Sequence, residues 1–207
     1  MSPENTSGLL SGLLPGLLLD RDGVLNVEVH RLHRTEDLVL VPGVLSALAE
    51  IARWDVPIAV VSNQAGIGHG LYDDAACRAV NEALRQQVTA AGGRIDAFFY
   101  CPHTPAQSCS CRKPAPGLLH QAAEALALDL TRSVLVGDKR SDLEAARAVG
   151  CAAVLVRSGY GRAEEGALRG TALYDACVDS LSDAVPVLAG MLGRPGGDAP
   201  ALNQPRS

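Results

Sequence analysis

Asp20 and Asp22 stand one residue apart, directly after the apolar run Gly16-Leu17-Leu18-Leu19 and just before Gly23. Two carboxylates at the end of a buried strand can hold a hard cation and still leave an oxygen for nucleophilic attack. Taken alone, Asp22-Gly23 reads equally well as a turn, and Asp20 as a capping or surface acid. Three other boundaries carry complementary groups. Ser62-Asn63 follows the apolar run 56–61, Arg112-Lys113-Pro114 precedes a helical segment, and Gly137-Asp138 ends another apolar run with Lys139 and Asp142 close behind. Asp20, Asp22 and Asp138 suit Mg²⁺, which takes a few carboxylates together with water and substrate phosphate. Ser62 offers a hydroxyl and Lys113 a cation to a phosphoryl group, whose transfer depends on positioning and charge neutralisation. Each fragment alone also reads as a turn, a solvated charge or a helix cap. Their recurrence at successive strand and helix ends points to one site on one rim.

A second set lies between residues 101 and 111. Cys101-Pro102-His103 and Cys109-Ser110-Cys111 form the pattern C-x-H-x5-C-x-C. Four soft or borderline ligands so close together suit a closed tetrahedral Zn²⁺ site in a loop too short to bury a core, where metal binding supplies the folding energy. Free thiols, or a disulfide formed on oxidation, are the alternative. Cys77 and Cys151 fall in helical and strand contexts and are expected in the core.

The elements that must position these groups follow from apolar periodicity. Strands are expected at 17–20, 56–61, 95–100, 133–136 and 152–156, with one more strand and helix between 175 and 191. Helices are expected at 43–54, from Asp73 or Asp74 to about Ala91, at 116–128, and from a Ser141 cap to Val149, where Gly150 stops the chain. The segment Ala65–Gly70 reads as a Gly-rich loop. Alternating strands and helices predict a doubly wound, Rossmann-like α/β fold: a parallel sheet with helices on both faces and ligands at the carboxyl ends of the strands. The expected organisation is a flexible N-terminal tail over 1–15, a single domain over 16–192 and a disordered Gly/Pro-rich tail over 193–207. No large insertion follows Asn26 or Gln64, so a separate cap domain is not expected. The walls of the site are then the zinc loop and the loop Glu28–Arg34.

The chain has 207 residues, 47% hydrophobic and only 3% aromatic, with a net charge of -5. That composition requires an aliphatic core and argues against a nucleic-acid-binding surface. The N-terminal segment lacks the basic start of a signal peptide, and no apolar run is long enough to span a membrane. A cytoplasmic monomer acting on a small molecule is expected, with no nucleic-acid or membrane partner.

The motifs Leu-Leu-Leu-Asp-Arg-Asp-Gly-Val-Leu-Asn, Val-Val-Ser-Asn-Gln, Arg-Lys-Pro and Val-Gly-Asp-Lys-Arg-Ser-Asp appear in this order between residues 17 and 142. The pattern resembles the haloacid dehalogenase superfamily of phosphotransferases. The resemblance implies that Asp20 is the nucleophile that becomes an aspartyl-phosphate. Asp22 is then the acid that protonates the leaving oxygen and the base that activates water. Mg²⁺ is held by the Asp20 side chain, the Asp22 main-chain carbonyl and Asp138, Ser62 and Lys113 hold the phosphoryl group, and Asp142 orients the site from behind. Cys-Pro-His followed by Cys-x-Cys-Arg-Lys-Pro is similar to the zinc-containing branch, which includes heptose bisphosphate and histidinol-phosphate phosphatases.

Asn63-Gln64-Ala65-Gly66-Ile67-Gly68, Lys113-Pro-Ala-Pro-Gly, Gly137-Asp-Lys139 and Ser158-Gly-Tyr-Gly161 look more like the heptose enzymes. The implied reaction is removal of the 7-phosphate of D-glycero-D-manno-heptose 1,7-bisphosphate to leave heptose 1-phosphate. Histidinol-phosphate hydrolysis is the alternative. A DNA end phosphatase and a catalytically dead, zinc-stabilised interaction protein are disfavoured by the zinc ligands and scarce aromatics in the first case, and by the complete catalytic set in the second. Glu28, His30, Arg31, Asn63, Gln64, Ala65, Arg112 and Lys139 are the candidate substrate contacts. Where the heptose enzymes commonly carry Gly-Tyr after Asn-Val-Glu, this chain has His30 and Arg31. Those two, with His33, suit a second phosphate or a solvated basic turn.

Overall fold

A computed structural model describes residues 12–195. Its centre is a six-stranded sheet in the order β3-β2-β1-β4-β5-β6, every pairing parallel. The strands are β1 (Leu17–Leu19), β2 (Ile58–Asn63), β3 (Ala97–Cys101), β4 (Val134–Gly137), β5 (Ala152–Val156) and β6 (Ala176–Val178). They are short aliphatic runs because both faces of a parallel sheet are covered. Successive side chains point to opposite faces. Leu17 and Leu19, Ile58 and Val60, and Val134 and Val136 enter one core. Leu18, Ala59, Val61 and Leu135 enter the other.

The first core is closed by α1 (Val44–Ile51), α3 (Asp74–Ala90) and α7 (Leu181–Met191), the second by α4 (Gly117–Leu126), α5 (Arg140–Ala148) and α6 (Gly161–Leu168). A single-turn helix, α2 (Ala65–Gly68), lies between β2 and α3, where the glycines predicted a loop. Asp73 caps α3 as expected, its side chain accepting from the Ala76 amide. The expected Ser141 cap is corrected. α5 begins at Arg140 with Lys139 at the N-cap, and the Asp142 carboxylate accepts from the Lys139 amide at 3.1 Å. Helix α6 had no counterpart in the periodicity.

The chain winds outward from β1 to β3, then crosses back beside β1 to start β4. The β1/β4 boundary is therefore the topological switch point, where the carboxyl ends of the strands open a crevice. Asp20 and Asp138 follow directly on these two strands. Leu14, within the stretch expected as a loose tail, is already joined to the body: its amide donates to the Ala127 carbonyl at 3.0 Å and its carbonyl accepts from Asp129 at 2.8 Å. The expectations for 1–11 and 196–207 lie outside the described residues. Among those described, no helix is long and apolar enough to cross a membrane.

Candidate active site

The crevice at the switch point is a cavity of about 320 Å³, within the usual range for small-ligand sites. Asp20, Asp22, Ser62, Asn63, Gln64, Ala65, Lys113, Lys139, Glu28, His30, Arg31 and Arg112, all singled out in the sequence, line it. His33 does not. Its ring is stacked on Tyr72, with centroids 5.3 Å apart and planes 4° apart.

The floor is a compact charge cluster. Lys113 Nζ donates to Asp20 Oδ1 at 2.9 Å and to the Val61 carbonyl at 2.6 Å, and lies 2.6 Å from Asp142 Oδ1. Burial opposes the Lys113 charge, but Asp142 and Asp20 outweigh it and hold its pKa above the ordinary lysine value. Burial pushes the Asp20 carboxyl up to about 6, against the pull of Lys113. The lysine is held from behind as well. Asn63 Nδ2 donates to the Lys113 carbonyl at 2.9 Å, and its Oδ1 accepts from the Lys113 amide at 3.0 Å.

Asp138 lies beneath this floor, fully buried. Its Oδ2 accepts from the Tyr160 amide at 2.8 Å, and its Oδ1 has no partner. Burial and the Asp20 charge push its pKa up to about 8. Gly23 and Gly159 crowd it. A Cβ on either would sit 2.2 or 2.1 Å from Asp138 Oδ2, and both have positive φ, 89° and 58°, which L side chains rarely adopt. Oxygens of Asp20, Asp138 and Asp142 all lie within 4.8 Å of one another. Asp20 and Asp142 share Lys113, while Asp138, with an orphaned oxygen, has only the Lys139 ammonium 4.0 Å away, so the three buried carboxylates lack positive charge. The donor set fits a hard divalent cation such as Mg²⁺.

Asp22 is held differently. Its carboxylate accepts from Arg21 Nη2 at 3.0 Å, Asn26 Nδ2 at 3.0 Å and Gln64 Nε2 at 2.8 Å. Burial works against its charge, but Arg21 and these hydrogen bonds prevail, and its pKa falls below the usual aspartate value. Arg21 is itself 1% exposed and donates on its other side to Asn81 Oδ1 on α3 at 3.0 Å. Gln64 Nε2 also donates to Ser62 Oγ at 2.8 Å. Glu28 and Lys139 pair at 3.1 Å across the mouth, and Lys139 Nζ sits 4.4 Å from the centre of the Tyr160 ring.

The zinc-ligand candidates converge. The sulfurs of Cys101, Cys109 and Cys111 are 3.1–3.4 Å apart, and His103 Nδ1 is 3.5 and 3.3 Å from Cys101 and Cys111. A tetrahedral ion with bonds of about 2.0–2.3 Å sets its ligands roughly 3.5–3.8 Å apart, so the set needs to open only slightly to fit. The register Asn63↔Cys101 fixes one end of this loop beside Ser62. The other end runs straight into Arg112 and Lys113.

Sequence reasoning placed the walls at 28–34 and 101–111 but missed a third, built from Gly66, His69 and Tyr72, and a fourth contributed by Tyr160. It also gave no role to Arg21 or Asn81. Both left a signal. Arg21 continues a strand whose residues are all buried, and Asn81 interrupts the apolar stripe Cys77-Val80-Leu84-Val88 of α3.

Comparison with known proteins agrees with this geometry. Residues 110–184 match the family model described as HAD-hydrolase-like. A D-glycero-beta-D-manno-heptose-1,7-bisphosphate 7-phosphatase of Pseudomonas aeruginosa is 42% identical over 146 residues, 70% of this chain and 82% of that protein. One from Pseudomonas putida is 41% identical over 77% of this chain and 93% of its own length. The crystal structure of a D,D-heptose 1,7-bisphosphate phosphatase from Bordetella bronchiseptica, complexed with magnesium and phosphate, superposes with a TM-score of 0.78 at 33% identity, covering 83% of this chain and 96% of that one. The strand order, the acid cluster at the switch point and these relatives together place the chain in the haloacid dehalogenase-like phosphatases, in the family of the heptose 1,7-bisphosphate 7-phosphatases.

Proposed function

We propose that the protein removes the 7-phosphate of D-glycero-D-manno-heptose 1,7-bisphosphate, leaving heptose 1-phosphate. The observation that carries the chemistry is Asp20, bound by Lys113 over the buried Asp138 and Asp142 at the β1/β4 switch point. The names and identities of the relatives support the choice of sugar.

In this reading an Asp20 carboxylate oxygen attacks phosphorus in line with the departing C7 oxygen. Lys113, Ser62 and the backbone around Asn63 hold the phosphoryl oxygens. Asp22 gives its proton to the C7 oxygen as the P–O bond breaks. It then takes a proton from water, which attacks the aspartyl-phosphate, freeing phosphate and regenerating Asp20. An acid must be protonated to donate, and Asp22 paired with Arg21 is ionised. Proton donation therefore requires Asp22 to leave its contacts with Arg21, Asn26 and Gln64 and to take up a proton from solvent before the P–O bond breaks. Mg²⁺ would be held by Asp20, Asp138 and the Asp22 carbonyl, neutralising phosphoryl charge. Zn²⁺ on Cys101, His103, Cys109 and Cys111 would brace the loop that delivers Arg112 and Lys113. Glu28, His30, Arg31, Gln64, Ala65, Arg112 and Lys139 would surround the sugar. A single domain over 16–192, acting as a cytoplasmic monomer, completes the proposal.

The test is phosphate release from heptose 1,7-bisphosphate with Mg²⁺, the product followed by ³¹P NMR. Loss of the C7 phosphate signal is expected, and Asp20→Asn should lower turnover by more than about 10³-fold with the fold intact. An inert heptose bisphosphate, with histidinol phosphate or hexose phosphates hydrolysed instead, would overturn the substrate.

A further inference from the structure

The cations around the cavity fall into two groups. Lys113 and Lys139 are compensated by Asp20, Asp142 and Glu28. Arg31, on the Glu28–Arg34 loop, and Arg112, at the end of the 101–111 loop, make no ion pair among the described residues. The hydrogen bond from Arg112 is a single one, Nη1 to the His103 carbonyl at 3.3 Å, and Arg31 is exposed. The floor carries excess carboxylate and receives the transferring phosphoryl group. A second anion therefore finds free donors only at the rim.

Arg31 is held there by more than its side chain. Its backbone has φ 69°, a left-handed conformation that a non-glycine residue adopts only under constraint. His33 Nδ1 donates to the Arg31 carbonyl at 2.9 Å, closing the turn. The His33 ring stacks on Tyr72, and Tyr72 Oη donates to Gln64 Oε1 at 2.8 Å. Gln64 in turn bonds both Ser62 and Asp22. The rim turn is thus tied through one aromatic stack to the groups that face the reacting phosphate.

We propose that Arg31 is the specificity-determining residue of this site, binding the phosphate that is not transferred, so that sugar bisphosphates are taken over sugar monophosphates. The proposal rests on the phosphatase reading above but not on the identity of the sugar. The planar guanidinium presents paired donors to phosphate oxygens. His33 and Tyr72 act as positioning residues for it.

The experiment compares kcat/KM within matched pairs, heptose 1,7-bisphosphate against heptose 7-phosphate and fructose 1,6-bisphosphate against fructose 6-phosphate. The wild-type protein, Arg31→Gln, Arg31→Lys and Arg31→Gly are compared. Glycine suits a positive φ, so Arg31→Gly removes the guanidinium with no backbone strain. The bisphosphate-to-monophosphate ratio is expected to fall about 10- to 100-fold in Arg31→Gln and Arg31→Gly, chiefly through KM. Arg31→Lys should recover part of it, keeping the charge without the fork. A ratio that stays level in these variants overturns the proposal, as does a wild-type protein with no bisphosphate preference in either pair. If the heptose pair is inert while the fructose pair shows an Arg31-dependent ratio, the choice of sugar fails and the role of Arg31 stands. If the heptose pair turns over with a ratio indifferent to Arg31, the choice of sugar stands and the role of Arg31 fails.

Discussion

Asp138→Asn should make the magnesium-free protein more stable while destroying its activity. The Asp138 side chain is wholly buried, its Oδ1 has no hydrogen-bond partner, and the ammonium of Lys139 is 4.0 Å away. Burial first, and the Asp20 charge second, raise its pKa from 3.8 to about 8. A carboxyl whose pKa is raised on folding is favoured in its protonated form. Its ionisation therefore costs nothing below the unfolded value near 4, and the cost grows as pH rises towards about 8. Each unit is about 1.4 kcal/mol. Because Asp20 and Asp142 share the same charge imbalance, we assign about 2–3 kcal/mol of it to Asp138 alone. Asparagine removes that charge and can still accept from the Tyr160 amide. In a chain of this size 1 kcal/mol moves Tm by about 2–4 °C. After dialysis into magnesium-free buffer, the variant should melt about 5–10 °C above wild type at pH 8, and nearly level with it at pH 4.5. Millimolar Mg²⁺ should raise the wild type and close the gap, since an ion that binds only the folded state stabilises it by mass action. Turnover should be lost at either magnesium concentration. A gap of equal size at both pH values, or a variant that melts lower at pH 8, would refute the charge argument.

Lys113→Met tests the opposite end of the same balance. It leaves Asp20 and Asp142 buried without their shared cation, which costs about 3–5 kcal/mol for a buried pair broken on one side. Thermal melting should show the largest loss above pH 7 and recovery towards pH 5, where a carboxyl takes up a proton, with phosphatase activity absent throughout. Cys111→Ser probes the loop that ends in Arg112 and Lys113. Bound zinc, measured by atomic absorption, should fall from one equivalent per chain, and KM should rise about tenfold for want of a fixed Arg112; lost zinc with unchanged KM would separate the loop from the site, and retained zinc would remove Cys111 from the ligand set.

The sheet was legible because parallel strands buried on both faces must be nearly pure aliphatic runs, and Leu17–Leu19, Ile58–Val61 and Val134–Val136 are such runs. The candidate site was legible because the switch point gathers strand ends, so the polar residues at the carboxyl ends of β1, β2 and β4 had to meet. Helix starts were less so. Ser141 is a better local cap than Lys139, yet α5 starts early enough to bring the Asp142 carboxylate both onto the Lys139 amide and against Lys113. A tertiary demand on Asp142 overrode the local preference. Helix α6 carries glycine at 161 and 166, which weakens its intrinsic signal, and it is held by docking: a Cβ at Gly161 would lie 1.7 Å from the Val156 carbonyl oxygen. The wall formed by Gly66, His69 and Tyr72 was hidden because α2 is a single turn inside a Gly-rich segment.

Arg21 shows where local reading stops for a physical reason. Carried past the end of β1, alternation puts Asp20 and Asp22 on one side and Arg21 on the other, where its side chain meets Asn81 on α3. There a guanidinium is tolerable only if it is paired. The chain meets that need twice, with Asp22 returning towards Arg21 and with Asn81 placed in the apolar stripe of α3. The pair of carboxylates that suggested the chemistry is therefore divided at rest. Asp20 faces Lys113 with a raised pKa, and Asp22 faces Arg21 with a lowered one. In the proposed reaction, a nucleophile held by one cation and an acid/base held by another, one residue apart, keeps the two carboxylates from competing for the same proton. The same division means that, in the proposed reaction, proton delivery by Asp22 begins with a side-chain movement, a step that the spacing of two aspartates does not encode and that only the buried arginine between them makes visible.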